Sequence, residues 1–61
     1  MKLKLIVNDN DVPYVNSLRT VEKLDNIRYT SYTSLTYGFK NRKEIKEFLK
    51  TIKIDYTFII K

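Results

Sequence analysis

From Ile27 to Phe39 the chain alternates. Ile27, Tyr29, Leu35, Tyr37 and Phe39 are apolar or aromatic, whereas Arg28, Thr30, Tyr32, Ser34 and Thr36 between them are polar and mostly carry hydroxyls. A period of two predicts a half-buried sheet, one face inward and one outward. The stretch is long for a single strand, which leaves two readings. A hairpin pivoting at Tyr32-Thr33-Ser34 would set Ser31 opposite Leu35, Thr30 opposite Thr36, Tyr29 opposite Tyr37 and Ile27 opposite Phe39, pairing like with like. Its turn, however, lacks the Gly or Asn that a tight hairpin prefers. The alternative is one long, bent strand. Gly38 marks a bulge or a close approach near its end.

The flanking segments divide the same way by period. Leu3, Leu5 and Val7 share one face of a first strand, with Lys2, Lys4 and Ile6 on the other, and Asn8-Asp9-Asn10-Asp11 stops it in a turn. Asp11 then serves as N-cap and Pro13 fits the first turn of a helix. Tyr14, Val15, Leu18, Val21 and Leu24 recur at steps of three and four, with Asn16, Arg19, Thr20 and Lys23 outside the stripe; Asp25-Asn26 ends this first helix. Asn41 with Glu44 three residues on opens a second helix like a capping box, and Ile45, Phe48, Leu49 and Ile52 supply its buried stripe. Ile54 to Lys61 closes the chain as a strand, with Ile54, Tyr56, Phe58 and Ile60 inward and Asp55, Thr57, Ile59 and Lys61 outward.

With two helical stripes to bury, both helices are expected on one side of the sheet, in a two-layer α/β sandwich of the α+β class. If the hairpin holds, the order is β-α-β-β-α-β, the ferredoxin-like arrangement. If the central stretch is one bent strand, it is β-α-β-α-β. Either way the reverse of the sheet is left uncovered, bearing Lys2, Lys4, Ile6, Arg28, Thr30, Tyr32, Thr36, Thr57, Ile59 and Lys61.

Composition narrows what such a molecule can do. At 61 residues the chain makes one domain with a small core. It has no cysteine and no histidine, so disulfides, zinc fingers, iron-sulfur clusters and cysteine nucleophiles are excluded, and self-association is the stabilising device that is left. The apolar run Leu5-Ile6-Val7 is too short for a secretion signal, and Phe58-Ile59-Ile60 is far too short for a membrane span, so a cytoplasmic protein is expected. The absence of alanine and the excess of Lys, Asn, Ile and Tyr point to an AT-rich bacterial or bacteriophage genome. Of the net charge of +5, residues 1–39 carry +1 (five basic, four acidic) and residues 40–61 carry +4 (seven basic, three acidic). A basic second half favours an acidic partner.

Four features carry candidate chemistry. The uncovered face resembles in architecture the base-stacking sheets of RNA-binding ferredoxin-like modules, yet Tyr32 is its only aromatic and no glycine- and aromatic-rich RNP segment is present; the plain alternative is a solvated face of Thr and Lys. Arg42, Lys46, Lys50 and Lys53 fall within an arc of roughly 80° on the second helix, a stripe that suits a phosphate backbone or simply water. Asp9 and Asp11 share a loop, but capping and turn formation explain both, and no metal or other cofactor is expected. Finally, Tyr56-Thr57-Phe58-Ile59-Ile60 is β-prone, uncharged and free of proline, a hazard on the bare edge that a ferredoxin-like order gives it, so either another chain pairs with it or the topology places it centrally.

With no histidine or cysteine, no Gly-rich phosphate loop and thinly spread acids, nothing supports catalysis or a small-molecule substrate. The expectation is a non-enzymatic interaction module, homodimeric, that binds another protein and modulates a larger machine. Ile6, Tyr32 and Ile59 are its apolar anchors, and Lys2, Lys4, Arg28 and Lys61 its polar rim. The alternative is nucleic-acid binding by the same face or by the basic helix.

Overall fold

The computed structural model describes residues 1–27 and 31–61. The elements in chain order are β1 (Lys2–Asn8), a 3-10 turn (Asp9–Asp11), α1 (Val12–Leu18), β2 (Lys23–Asn26), β3 (Tyr32–Gly38), α2 (Arg42–Thr51) and β4 (Thr57–Ile60). The four strands form one sheet in the order β2-β3-β1-β4 with every neighbouring pair antiparallel. Two helices and this sheet make a small α+β, sandwich-like fold.

β1 and β3 form its centre. Leu3 lies opposite Tyr37, Leu5 opposite Leu35 and Val7 opposite Thr33, so the apolar sets of both strands share one face. Both helices cover that face. The Tyr37 hydroxyl lies 3.5 Å from Asn16 Oδ1 on α1, and its ring sits 5.4 Å from that of Phe48 on α2. Tyr14 of α1 closes the layer by donating its hydroxyl to the Thr51 carbonyl at 3.2 Å. Leu3, Leu5, Val7, Val15, Leu35, Tyr37, Phe39, Ile45 and Ile52 are buried together as a single core, drawn from the centre of the sheet and both helices.

Local chemistry explains the turns. The Asn8 side chain accepts the Asn10 N–H at 2.9 Å, an Asx turn that ends β1. Asp11 occupies the N-cap position of α1 and Pro13 the first turn, but the Asp11 side chain makes no capping bond. At α2, Asn41 Oδ1 caps the Glu44 N–H at 3.0 Å, while the Glu44 carboxylate reaches back to the Lys40 N–H at 3.0 Å, one residue earlier than in the usual reciprocal box. The α2 stripe packs as its spacing predicts, with Ile45 and Ile52 buried and Phe48 and Leu49 half-buried.

Three expectations are overturned. The first helix stops at Leu18 and does not run on to Leu24. Arg19 leaves in extended conformation to lay its guanidinium 4.1 Å above the Phe39 ring and donate to the Gly38 carbonyl at 2.8 Å. The residues beyond it are taken into the sheet as β2, where pairing with β3 satisfies more backbone than a last helical turn would.

The hairpin, second, pivots elsewhere. Tyr32-Thr33-Ser34 is strand and not turn, so Leu35 faces Leu24 instead of Ser31, and Thr36 faces Lys23 instead of Thr30. The Ile27 N–H to Tyr32 carbonyl bond at 3.0 Å continues the same ladder. Tyr and Thr favour the pleat, and Thr33 is held in it by a buried hydroxyl that donates to Asp9. Two paired strands also displace the reading of one long bent strand; the expected partners Tyr29 and Thr30 lie outside the described residues. Third, the closing strand is shorter than Ile54 to Lys61: Ile54 and Tyr56 pack against the core from outside β4.

Candidate interaction surface

Alternation along each strand fixes what the uncovered face presents. Opposite the core set, β1 turns Lys2, Lys4, Ile6 and Asn8 outward. The register then aligns three rows across the sheet: Asp25, Ser34, Ile6 and Thr57; Lys23, Thr36, Lys4 and Ile59; and Gly38, Lys2 and Lys61. Tyr32 stands opposite Asn8 at the far end.

These rows separate the two kinds of side chain. At one end Ile6 and Tyr32 line a shallow depression with Ile27, Asp55, Tyr56 and Thr57. At the other, Lys2, Lys4, Lys23 and Lys61 surround a second depression with Glu22, Asp25 and Thr36. Tyr32 and Ile59 are exposed at 43% and 45%, which leaves a ring and a branched side chain free on the face. Apolar anchors ringed by a polar rim are therefore not the arrangement found. The anchors Ile6 and Tyr32 sit beside a basic end, and Ile59 lies within that end, opposite Lys4. Arg28, the remaining expected rim residue, lies outside the described residues.

Glu22, Lys23 and Asp25 were not expected on this surface. A helix reaching Leu24 places Lys23 on its solvent side; as a strand, Lys23-Leu24-Asp25-Asn26 turns Lys23 and Asp25 onto the open face. The alternation of that tetrapeptide was the available signal, masked by Val21 and Leu24 continuing a helical spacing. The charges here partly cancel. Lys2 pairs with Glu22, and Lys23 lies 3.6 Å from Asp25, both pairs largely exposed, which limits each to a small contribution.

The basic helix faces another way. Arg42, Lys46 and Lys50 are exposed on α2, in the helix layer and beside its buried stripe, not on the open sheet face. Lys53 is not on the helix: α2 ends at Thr51, and the Lys53 N–H donates to the Tyr14 hydroxyl at 3.3 Å. Three cations at successive four-residue steps remain, with Lys43 and Glu47 exposed beside them. The two basic surfaces therefore belong to different layers, one to the helices and one to the open face of the sheet.

In the Asp9 loop the carboxylate accepts the Thr33 hydroxyl and the Asp9 N–H reaches the Ser31 carbonyl at 2.7 Å. Among the described residues no three acidic side chains converge as metal ligands would. Among the described residues one ionisable group is strongly perturbed: burial pushes the Tyr37 hydroxyl up from 10.0 to about 12. Tyr37 is fully buried within the core, so this shift bears on stability. No helix among the described residues is long and apolar enough to cross a membrane.

The two edges of the sheet are unlike. β2 ends it on one side with Lys23-Leu24-Asp25-Asn26; β4 ends it on the other with Thr57-Phe58-Ile59-Ile60, where Phe58 and Ile59 are each 45% exposed. No protein-family model, curated protein or solved structure matches the chain.

Proposed function

We propose that this chain is a small, non-enzymatic interaction module of ferredoxin-like fold, homodimeric, acting in the cytoplasm of a bacterium or a phage-infected cell by docking on another protein. The strand order β2-β3-β1-β4 with all neighbours antiparallel supports the fold name. One observation carries the rest: β4 is an edge with no charged side chain and with Phe58 and Ile59 nearly half exposed. Such an edge is a template for another strand, and proteins that keep one bare generally cover it. The open face beside it supplies Ile6, Tyr32 and Ile59 as apolar contacts and Lys2, Lys4 and Lys61 as charged ones, a mixture suited to a modest protein interface.

A second reading is favoured by the gathering of Lys2, Lys4, Lys23 and Lys61 at one end of the open face. Four cations around one depression suit a phosphate backbone, and Tyr32 on the same face offers a ring for stacking. Titration with fluorescent single- and double-stranded oligonucleotides across salt concentrations separates the two readings. Binding that weakens steeply as salt rises selects nucleic acid. A flat titration, with a protein recovered by pull-down that is lost on Tyr32→Ala, selects the protein partner.

A further inference from the structure

The backbone of β4 dictates how a second copy would meet it. Lys2 and Lys61 exchange both hydrogen bonds, Lys2 N–H to the Lys61 carbonyl at 3.1 Å and Lys61 N–H to the Lys2 carbonyl at 2.9 Å. Alternation along an antiparallel ladder then turns the backbone groups of Thr57, Ile59 and Lys61 toward β1 and those of Phe58 and Ile60 toward the free edge. Continued one residue before the strand, the same alternation turns Tyr56 outward. A second copy offering the same edge therefore has to pair even-numbered residues with even-numbered residues, since only these hold unused donors and acceptors there.

This parity has a consequence for shape. Phe58 lies opposite Leu5 and Ile60 opposite Leu3, so the even residues of β4 belong to the helix-bearing face. Pairing even with even brings the helix layers of both copies to one side of a continuous sheet and joins the two open faces on the other.

Charge selects among the even registers. With Phe58 opposite Phe58 of the second copy, Tyr56 faces Ile60, Thr57 faces Ile59 and Asp55 faces Lys61, each contact occurring twice by the twofold axis. Asp55 lies two residues ahead of β4, so the seam has to extend past Thr57 to reach it; carried that far, it sets Asp55 and Lys61 at a non-hydrogen-bonded position, where opposed Cα atoms stand about 4.5 Å apart and side chains meet most closely. Sliding one rung either way makes Ile59 or Thr57 self-opposed and sets Lys61 against Thr57 or Asp55 against Ile59, so the ion pairs vanish. Within one copy neither Asp55 nor Lys61 forms a salt bridge among the described residues.

We propose that two copies associate edge to edge through β4, antiparallel and centred on Phe58, with reciprocal Asp55–Lys61 pairs at both ends of the seam. This rests on the dimer reading given above and specifies its symmetry, its register and the side on which the helices lie.

Charge reversal tests it. Asp55→Lys and Lys61→Asp each place two like-charged contacts in the seam and should weaken self-association about tenfold. Both sites are exposed, so the fold is preserved. An equimolar mixture of the two variants should recover wild-type association as a heterodimer, because both contacts are then matched. Net charge cannot mimic this recovery, since both variants stay positive. The absence of cysteine makes a second test clean: under mild oxidation Phe58→Cys should form a covalent dimer, while Thr57→Cys and Ile59→Cys should not. Self-linking of either of the latter in preference to Phe58→Cys overturns the register. If light scattering finds a wild-type dimer but the mixture gives no recovery and Phe58→Cys no cross-link, the β4 seam is overturned and the dimer reading stands. A wild-type chain that stays monomeric at high micromolar concentration overturns both.

Discussion

A single row of side chains, Leu24, Leu35, Leu5 and Phe58, crosses the helix-bearing face from one edge of the sheet to the other. Leu35 and Leu5 are fully buried, whereas Leu24 and Phe58 at the ends are 55% and 45% exposed. Two short helices cover the middle of the layer and stop short of its margins. Both ends are about half exposed, yet their neighbours differ. Leu24 sits between Lys23 and Asp25, a pair of charges that discourages a second strand from approaching; Phe58 sits between Thr57 and Ile59, which invite one. The contrast teaches that exposure alone does not mark an interface. One edge is blunted by charge, and the other is left complementary to itself.

Cutting the row at its centre gives the largest expected effect. Leu5→Ala removes a fully buried side chain that touches both halves of the sheet and should cost about 2–5 kcal/mol in urea unfolding, which in so small a domain approaches the whole stability. Both edges should fail together, since both lean on the same two strands.

The core can also be probed without deleting a side chain. Burial holds the Tyr37 hydroxyl at about 12 when folded against 10.0 ordinarily, so the folded state retains a proton that the unfolded chain gives up. That contribution is complete below pH 10 and is lost as pH climbs toward 12, a decline of at most about 3 kcal/mol. Urea midpoints measured from pH 9 to 12 should fall more steeply for the wild type than for Tyr37→Phe, which has no such proton to lose.

Copying the chemistry of one edge onto the other comes next in size. Phe58→Lys should raise the dimer dissociation constant at least about tenfold, because like charges would then oppose each other at the centre of the seam. Leu24→Lys, at the matching end of the row, should leave the dissociation constant unchanged. Sedimentation equilibrium reads both, and equal effects would erase the contrast between the edges.

Gly38→Ala should have the smallest effect. A Cβ there would meet the Glu22 carboxylate, the far end of a flexible side chain, which can swing away at the expense of its exposed pair with Lys2. The expected change in unfolding free energy is under about 1 kcal/mol. A larger loss would mean that the link between Glu22 and β1 helps hold the β2 edge in place.

Much of the molecule was legible in order along the chain. The alternation of Lys2 to Val7 and the i, i+3, i+4, i+7 spacing from Ile45 to Ile52 each name an element and its buried side, because both periods are properties of consecutive residues. Leu35, Tyr37 and Phe39 turn inward as their odd positions require. The open face was legible for the same reason, down to Ile6, Tyr32 and Ile59, although the separation of a basic end from an aromatic one needed the register between strands. Lys23 and Asp25 escaped notice because Val21 and Leu24 fit a helical stripe as well as Leu24 fits a strand.

The sequence by itself determined the period of each segment, the absence of thiol and imidazole chemistry, and the apolar, uncharged character of its last strand. Tertiary structure alone decided where the first helix yields to β2, that Leu24 and not Ser31 meets Leu35, and that β4 lies beside β1 at the margin of the sheet. The reason is the range of the forces involved. Side-chain period is written in neighbours along the chain, while strand pairing is a competition among distant segments for the same backbone donors and acceptors, settled only when all of them are in place.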